Sequence, residues 1–362
     1  MLAGYGRSAA GGGATQSRSN EARIIQALDA HAHFVRGEPG GLKAILRNMQ
    51  LPAADFTERL LSGADFSHSN LAGSRLDRII GGEMTLYCAD LRGVSLRDAQ
   101  LSGADLRGAC LKAADLTGAL LDGADLRKAV LAVASGHQFT GGPATERTVA
   151  VDFSDASMKG ARLGGAKFEN ASFKGAVLHN ADFEGAVLNG SDFEGAVLTG
   201  VSLEQLRLPL SAFRNCVTEP TQMAVEAMPS VRAMLDIAEK WVVSGGRVGQ
   251  PARLDRMDLR PMGRDLRGAH LTAASMVGVQ AIGVDFTGAQ IQGANLTEAD
   301  LRDADFTGAD LRGVKFTGAR LRGAIFTKAD MRPLGLANGG VRAVDLEGAS
   351  YNPTAMVDAI RA

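Results

Sequence analysis

The chain has 362 residues, 22% of them charged and 5% aromatic, with 45 glycines and a formal net charge of −1. This near-neutral balance excludes a strong overall field toward nucleic acid or an anionic membrane, and no apolar run approaches the roughly 18 residues of a membrane span. The three cysteines, Cys88, Cys110 and Cys216, form no close-spaced pair of the zinc-binding kind and are expected to be reduced thiols in a cytoplasmic protein.

Residues 1–20 lack the apolar segment of a signal peptide and are expected to be a disordered tail. Residues 21–43 form the next element. A helix is predicted from Glu21 to about Gly37, with Ile24, Ile25, Leu28 and Ala32 on one face, until GEPGG breaks it. His31 and His33 lie two apart and so face different directions; a solvated helix surface is expected there rather than a metal site.

From Ala44 onward a central apolar residue recurs every five positions: Leu46, Leu51, Phe56, Leu61, Phe66, Leu71 and Leu76. Gly81 interrupts as a weakened side, and Leu86 resumes in the same phase. From Leu101 to Leu126 the pattern is regular, with Ala two residues before each leucine, a polar residue (often Asp) between them, and Gly frequent two residues after. A period of five fits neither helix nor strand; it is a repeat. Within Ala-Asp-Leu the alternation is that of a strand, with Ala and Leu pointing inward and Asp outward. The next two residues suit a bend. Five residues thus make one side and one corner. Phe153, Phe173, Phe193 and Phe213 recur every twenty residues, as do Phe286, Phe306 and Phe326. Twenty residues per turn means four sides, a square β-solenoid with like residues in columns about 4.8 Å apart.

With its Ala-(Asp/Asn)-Leu-x-x units from Ala44 to Tyr351, the chain resembles the pentapeptide repeat family. That resemblance implies an all-β solenoid, a right-handed quadrilateral β-helix.

The first solenoid is expected over 44–213. It contains a pattern-free insertion at 132–150, after which the phase slips by two and a second run extends from Phe153 to Leu203. Residues 214–250 read as a helical linker or cap, with Pro229 and Ser230 at a helix start and Val231, Met234, Leu235, Ala238, Trp241 and Val242 on one face. The second solenoid, 251–351, slips by two after Leu259 and then runs in one phase from Leu266 to Tyr351, with Ala281 as a small central residue. Asn352 and Pro353 are expected to open a short helix in a C-terminal cap, 352–362. The segment from Leu28 to Leu51 aligns with that from Leu235 to Leu259, placing Phe34 opposite Trp241. Two units are therefore expected, each with an N-terminal helical cap over the unpaired edge of its first coil.

No catalytic, cofactor-binding or metal-binding residue is predicted. There is no Gly-x-Ser-x-Gly, the glycine runs lack the Lys-Ser/Thr of a phosphate loop, and Leu, Phe and Ala fill the lumen, leaving no room for a substrate. The outward aspartates read as a solubilising ladder. The expectation is a non-catalytic protein-interaction scaffold for a protein partner, compatible with a homodimer, with recognition on the flat sides and in insertions 132–150 and 214–250. Family resemblance supplies an alternative, a DNA mimic that binds type II topoisomerases such as gyrase, which needs one continuous acidic face. Val151 to Gln205 carries eight acidic and four basic residues, a net charge of −4. Yet Glu184 and Glu194 fall on opposite sides, Asp182 stacks on Arg162 and Glu194 on Lys174, and Arg follows Asp at Asp105/Arg107, Asp125/Arg127 and Asp310/Arg312, so mixed columns neutralise each face. Arg302 with Arg322, and Arg312 with Arg332, read as solvated ladders beside Asp300, Asp303, Asp310 and Asp330 rather than as a nucleic-acid surface. An enzyme with a loop-borne site ranks third.

Overall fold

The chain folds back on itself every twenty residues. In this computed structural model, residues 13–130, 150–336, 339–351, 356 and 359–360 are described. The residue before each central residue pairs in parallel with its counterpart one turn on, as in Ile45 with Asp65, Gln50 with Asn70, Asp55 with Arg75 and Leu60 with Ile80. At most corners the central carbonyl accepts a hydrogen bond from the amide three residues later, as Leu61 does from Ala64 at 2.9 Å. The third residue of such a turn takes positive φ (72° at Gly63), as a type II turn requires. Asn48 and Glu58 adopt it as well. With four of every five residues committed to a corner, a single residue per side is left to bridge. The sides are therefore isolated bridges rather than the regular strands that the alternation suggests.

The chain divides into two compact units, Met1–Glu219 and Pro220–Ala362. In the first, helix α1 spans Gly13–Arg36. It starts within the stretch expected to be a disordered tail, because lengthening a formed helix adds one hydrogen bond per residue fixed without repeating the cost of nucleation. Leu28 joins the buried core, with Ile24 and Ala27 packed against it. The amide of Leu42 donates to the Ala30 carbonyl at 3.0 Å. Far from lying on a solvated surface, His31 is fully buried. Its neighbour His33 pairs with Glu38 at 2.7 Å near the surface.

The ladder continues directly past residues 131–149. Asp115 pairs with Asp152, Leu120 with Ser157, Asp125 with Arg162 and Val130 with Lys167. These partners stand 37 residues apart instead of 20, and the segment between them, which includes most of the predicted insertion, lies outside the described residues. The Phe columns form as the twenty-residue spacing predicts: Phe153, Phe173 and Phe193 stack with ring centroids 5.2 and 4.7 Å apart. Helix α2, Leu203–Leu206, and a 3₁₀ turn, Leu210–Phe213, close the run.

In the second unit, α3 (Gln222–Glu226) opens on Thr221, whose hydroxyl accepts from the Ala224 amide at 3.2 Å. Helix α4, Met228–Val243, buries Met228, Val231 and Ala238. Gly41 and Gly249 hold matching places after α1 and α4. A Cβ would stand 2.3 Å from the Phe34 amide nitrogen in the first and 2.3 Å from the Ile237 carbonyl in the second, so only glycine permits the chain to leave the helix so closely. The two-residue slip is taken up by a 3₁₀ turn at Arg260–Met262, and Arg253 bridges Ser275 across 22 residues. Phe286, Phe306 and Phe326 then stack at 5.1 and 5.3 Å.

The expected single phase from Leu266 to Tyr351 conceals an insertion. Strands β1 (Leu334–Gly335) and β2 (Val341–Arg342) form an antiparallel hairpin, and Lys315 pairs with Asp345 across 30 residues. Val341 is accordingly 74% exposed instead of lying in the lumen. The hairpin lies on the outside of the coil, where a Cβ at Gly313 would come within 2.7 Å of the Leu334 Cβ. Most of the expected C-terminal helix falls outside the described residues. Met356 is buried in the core, and Ile360 pairs with Asp330.

Gly81 is not a weakened side. Ile79 and Met84 occupy the small-residue positions flanking it, both fully buried, and a Cβ at Gly81 would stand 2.7 Å from the Met84 sulfur. Val279 and Val284 fill the same positions around Ala281. Overpacking such a site costs about 1–3 kcal/mol. Gly81→Leu should therefore lower the melting temperature clearly, while the triple change Ile79→Ala, Gly81→Leu, Met84→Ala, which restores the ordinary Ala-x-Leu pattern, should recover most of the loss. Equal melting temperatures for Gly81→Leu and the wild type would overturn this reading of the lumen.

Candidate interaction surface

Outward aspartates do more than solubilise. Asp105 Oδ1 accepts the Arg107 amide at 3.1 Å and its Nε at 2.8 Å, and Oδ2 accepts Nη2 at 2.7 Å. The carboxylate thus satisfies a corner amide while its own charge is neutralised by the arginine it holds. The same arrangement recurs at Asp90/Arg92, Asp125/Arg127, Asp310/Arg312 and Asp330/Arg332. Where Thr or Ser replaces Arg, its hydroxyl donates instead, as Thr57 does to Asp55 and Ser67 to Asp65, both at 2.6 Å. Arg302, expected to be solvated, is fully buried and lies on Asp300 with Nε at 2.8 Å and Nη2 at 2.6 Å.

Opposite charges also meet between coils, although aspartates stack on aspartates at Asp105/Asp125 and Asp310/Asp330. Arg162 bridges Asp182 in the ladder and reaches Asp125 at 3.4 Å. Lys174 lies 3.2 Å from Asp192 and 3.8 Å from Glu194. Arg78 meets Glu58 one coil back at 2.7 Å. Arg107 also sits over the Tyr87 ring, 5.4 Å from its centroid.

One side differs. Its outward ladder runs Leu60, Ile80, Gln100, Leu120, Ser157, Val177, Val197 and Val217, each bridged to the next. Six of the eight are aliphatic. Ile80 is 38% exposed and Leu60 and Leu120 are half-buried, whereas Val177 and Val197 are buried. Sequence reasoning missed this column because it treated the sides as self-similar. The signal was present in the apolar residues standing immediately before the central positions.

No catalytic, cofactor or metal residue was predicted. Among the described residues, no group of three or more His, Cys, Asp and Glu side chains is placed to hold a metal ion, and no helix is long and apolar enough to cross a membrane. A surface cavity of about 520 Å³ lies between α4 and residues 262–270 of the second unit. Arg232 pairs with Asp265 at 2.6 Å and Arg267 with Asp285 at 3.4 Å, and Asp236 and Glu239 also line it.

A family model for pentapeptide repeats matches eight copies, over residues 84–112, 109–135, 152–190, 176–215, 265–303 and 304–332, about half of the chain. The chain belongs to the pentapeptide repeat family. Members of this family fold as right-handed quadrilateral β-helices. No curated protein matches. Among solved structures, a trypsin-treated form of QnrB1, a plasmid-mediated fluoroquinolone resistance protein, is similar at 15% identity over 52% of this chain and 97% of its own, with a TM-score of 0.34. HetL, a pentapeptide repeat protein involved in heterocyst differentiation regulation from the cyanobacterium Nostoc sp. strain PCC 7120, is 21% identical over 90% of this chain and 91% of its own, with a TM-score of 0.14. A pentapeptide repeat protein from the Arabidopsis thaliana thylakoid lumen is 25% identical over 44% and 70%, with a TM-score of 0.14.

The corner carboxylates set the acid limit of the fold. The Arg107 side chain holds the Asp105 carboxyl below the usual carboxylate range. Burial pushes Asp115 upward, but hydrogen bonds from Thr117 and Arg97 outweigh it and leave that group low as well. Asp125 and Asp330 are likewise depressed. Unfolded aspartate titrates near about 4. As pH falls through that value the unfolded chain takes up protons that the folded chain resists, so this stabilisation is complete above about pH 4 and is lost below it. Thermal melts across pH 7 to 2.5 should fall steeply below about pH 4, less so in the Asp105→Asn, Asp125→Asn double variant. An acid slope unchanged by that double substitution would contradict the assignment.

Proposed function

We propose that the chain is a non-catalytic protein-interaction scaffold whose partner is a protein docking on an outer side. The observation that carries this reading is the accessible part of the outward aliphatic ladder, Leu60, Ile80 and Leu120, on one side of the first unit. Flat, evenly spaced apolar rows suit an extended protein surface. Neither the phosphate backbone nor the base edges of a nucleic acid would be recognised by them. The DNA-mimic alternative needs free carboxylates along one face, whereas many of these carboxylates are held by arginines of their own corner. The finer architecture follows the same reading: α1 and α4 act as caps over the first coil of each unit, and the two units fold independently.

Recognition by the aliphatic ladder is tested by cross-linked capture from the native host with Ile80→Gln plus Leu120→Gln, compared with Arg107→Ala plus Arg127→Ala. The first pair should abolish capture of a defined partner at unchanged melting temperature, and the second should retain it. The reverse pattern places recognition on the charged sides, and loss only when residues 132–150 are replaced by a short Gly-Ser bridge places it in the insertion. In a supercoiling assay the purified protein should leave DNA gyrase unaffected; inhibition or protection of gyrase would favour the alternative.

A fragment spanning 220–362 should be soluble, show β-type circular dichroism and melt cooperatively. Aggregation of that fragment beside a well-folded full chain would mean that α4 braces two interdependent halves.

A further inference from the structure

A buried histidine sits where the first coil has no preceding corner. Inside the coil, the amide two residues before a central position donates to the carbonyl three residues back, as Ala64 does to Leu61 at 2.9 Å. At Ala44 that donor meets the ring of His31 instead, with Nδ1 accepting at 3.1 Å. An amide N–H can only donate, so Nδ1 must be unprotonated and the ring neutral, with its proton on Nε2. Nε2 is itself buried without a hydrogen-bond partner. The ring is 0% exposed and stacks on Phe34 at 5.8 Å.

We propose that His31 is a proton-operated latch: neutral, it holds the C-terminal half of α1 on the open edge of the first coil; protonated, it releases it. A second proton would have to enter at Nδ1, where it would face the Ala44 N–H donor to donor and replace an attraction with a repulsion. It would also place a charge in a buried site, which is costly without a partner. The surrounding charges do not offset this. Asp29, on the same helix, is engaged with Arg59 of the coil at 3.0 Å. His33 is paired with Glu38. Lys43, on the segment leading into the coil, opposes a positive ring, and the carbonyls of Leu61 and Ser62 favour one, but burial outweighs them and leaves the imidazole harder to protonate than usual. The released state carries an ordinary histidine, titrating near about 6.5. It therefore gains protons first as pH falls, so docking is complete above that value and weakens below it. The second unit provides an internal control, because Ala238 holds the position of His31 in the aligned module and is also buried.

The test is hydrogen exchange on the full chain, corrected for the intrinsic pH dependence of exchange, at pH 7.5, 6.5, 5.5 and 5.0. Peptides covering 22–46 should lose at least about tenfold protection between pH 7.5 and 5.0, one pH unit of linkage being worth tenfold, while peptides from α4 keep theirs. His31→Gln, which retains an acceptor for Ala44 but cannot be charged, should hold its protection throughout. Equal protection of the wild type at pH 7.5 and 5.0 would overturn the proposal, as would an equal loss in His31→Gln. If His31→Gln does not dock at pH 7.5, an NMR titration of the wild-type ring decides: a midpoint coinciding with the loss of protection supports the latch, and a ring that titrates with no change in protection refutes it.

Discussion

The lumen of each coil has a nearly fixed volume, and much of the sequence is arranged to fill it. Every side contributes two inward positions, the central residue and the one two before it. Ladder hydrogen bonds fix the distance between layers, so the coil can neither widen nor narrow to accommodate a change. Close packing makes voids and overlaps costly alike. Gly81 is tolerated because Ile79 and Met84 supply volume from the neighbouring positions, and Ala281 because Val279 and Val284 do. The stacked Phe columns answer the same constraint over several layers: a large ring in one layer meets a parallel ring in the next, as Phe173 does with Phe193 at 10° between planes. Extra chain has no place inside, which is why the hairpin at 334–342 lies on the exterior.

That same constraint explains what the sequence could reveal. Central residues, the four-sided turn and the Phe columns were legible because inward positions tolerate little besides Leu, Phe, Met, Val and Ala. The break after Leu131 was legible because the excess between Asp115 and Asp152 is not a multiple of five and shifts the phase. The hairpin escaped because its excess is ten residues, two whole repeats, so Leu336 and Val341 fall on the periodic positions while standing outside the coil. Outward positions carry less information. Period alone cannot distinguish an aspartate that is merely solvated from one that ties down the amide two residues on, nor a surface arginine from Arg302, which is fully buried. His31 was misplaced for a related reason: helical spacing gives the face of a residue but not how deeply that face is covered.

The aspartates join the backbone to the electrostatics. A corner amide that would otherwise need water is bound by the carboxylate two residues before it, and the arginine that follows closes on the same carboxylate. Individual surface ion pairs add little stability. Their larger consequence is that charge is cancelled within a corner, before it can accumulate along a face. In 151–205, where Glu184 and Glu194 stand in the place of the corner arginine after Asp182 and Asp192, the offset comes instead from another coil, as Lys174 lies against Asp192 and Glu194. Any distinct surface must then come from exceptions to the pattern, such as the outward aliphatic residues Leu60, Ile80 and Leu120.

A linear array also concentrates its regulation at the ends. Within the coil, most amides find carbonyls of the adjacent layer or of their own corner, which do not titrate. The corner amides held by aspartate keep a charged partner until pH falls to about 4 or below. Serines at positions that are usually alanine, Ser69 and Ser74, insert a hydroxyl between a corner carbonyl and its amide, and this is indifferent to pH. Where the first layer lacks a preceding corner, a side chain takes over the backbone's role there too. At Ala44 that side chain is an imidazole, the one acceptor among the natural side chains that ceases to accept near neutral pH. In the second unit the aligned residue is Ala238, which offers no such group. The interior of the solenoid is therefore set by volume, its sides by charge cancelled locally, and the first edge by a single ring nitrogen, so a change in proton activity reaches that edge before it reaches the rest of the fold.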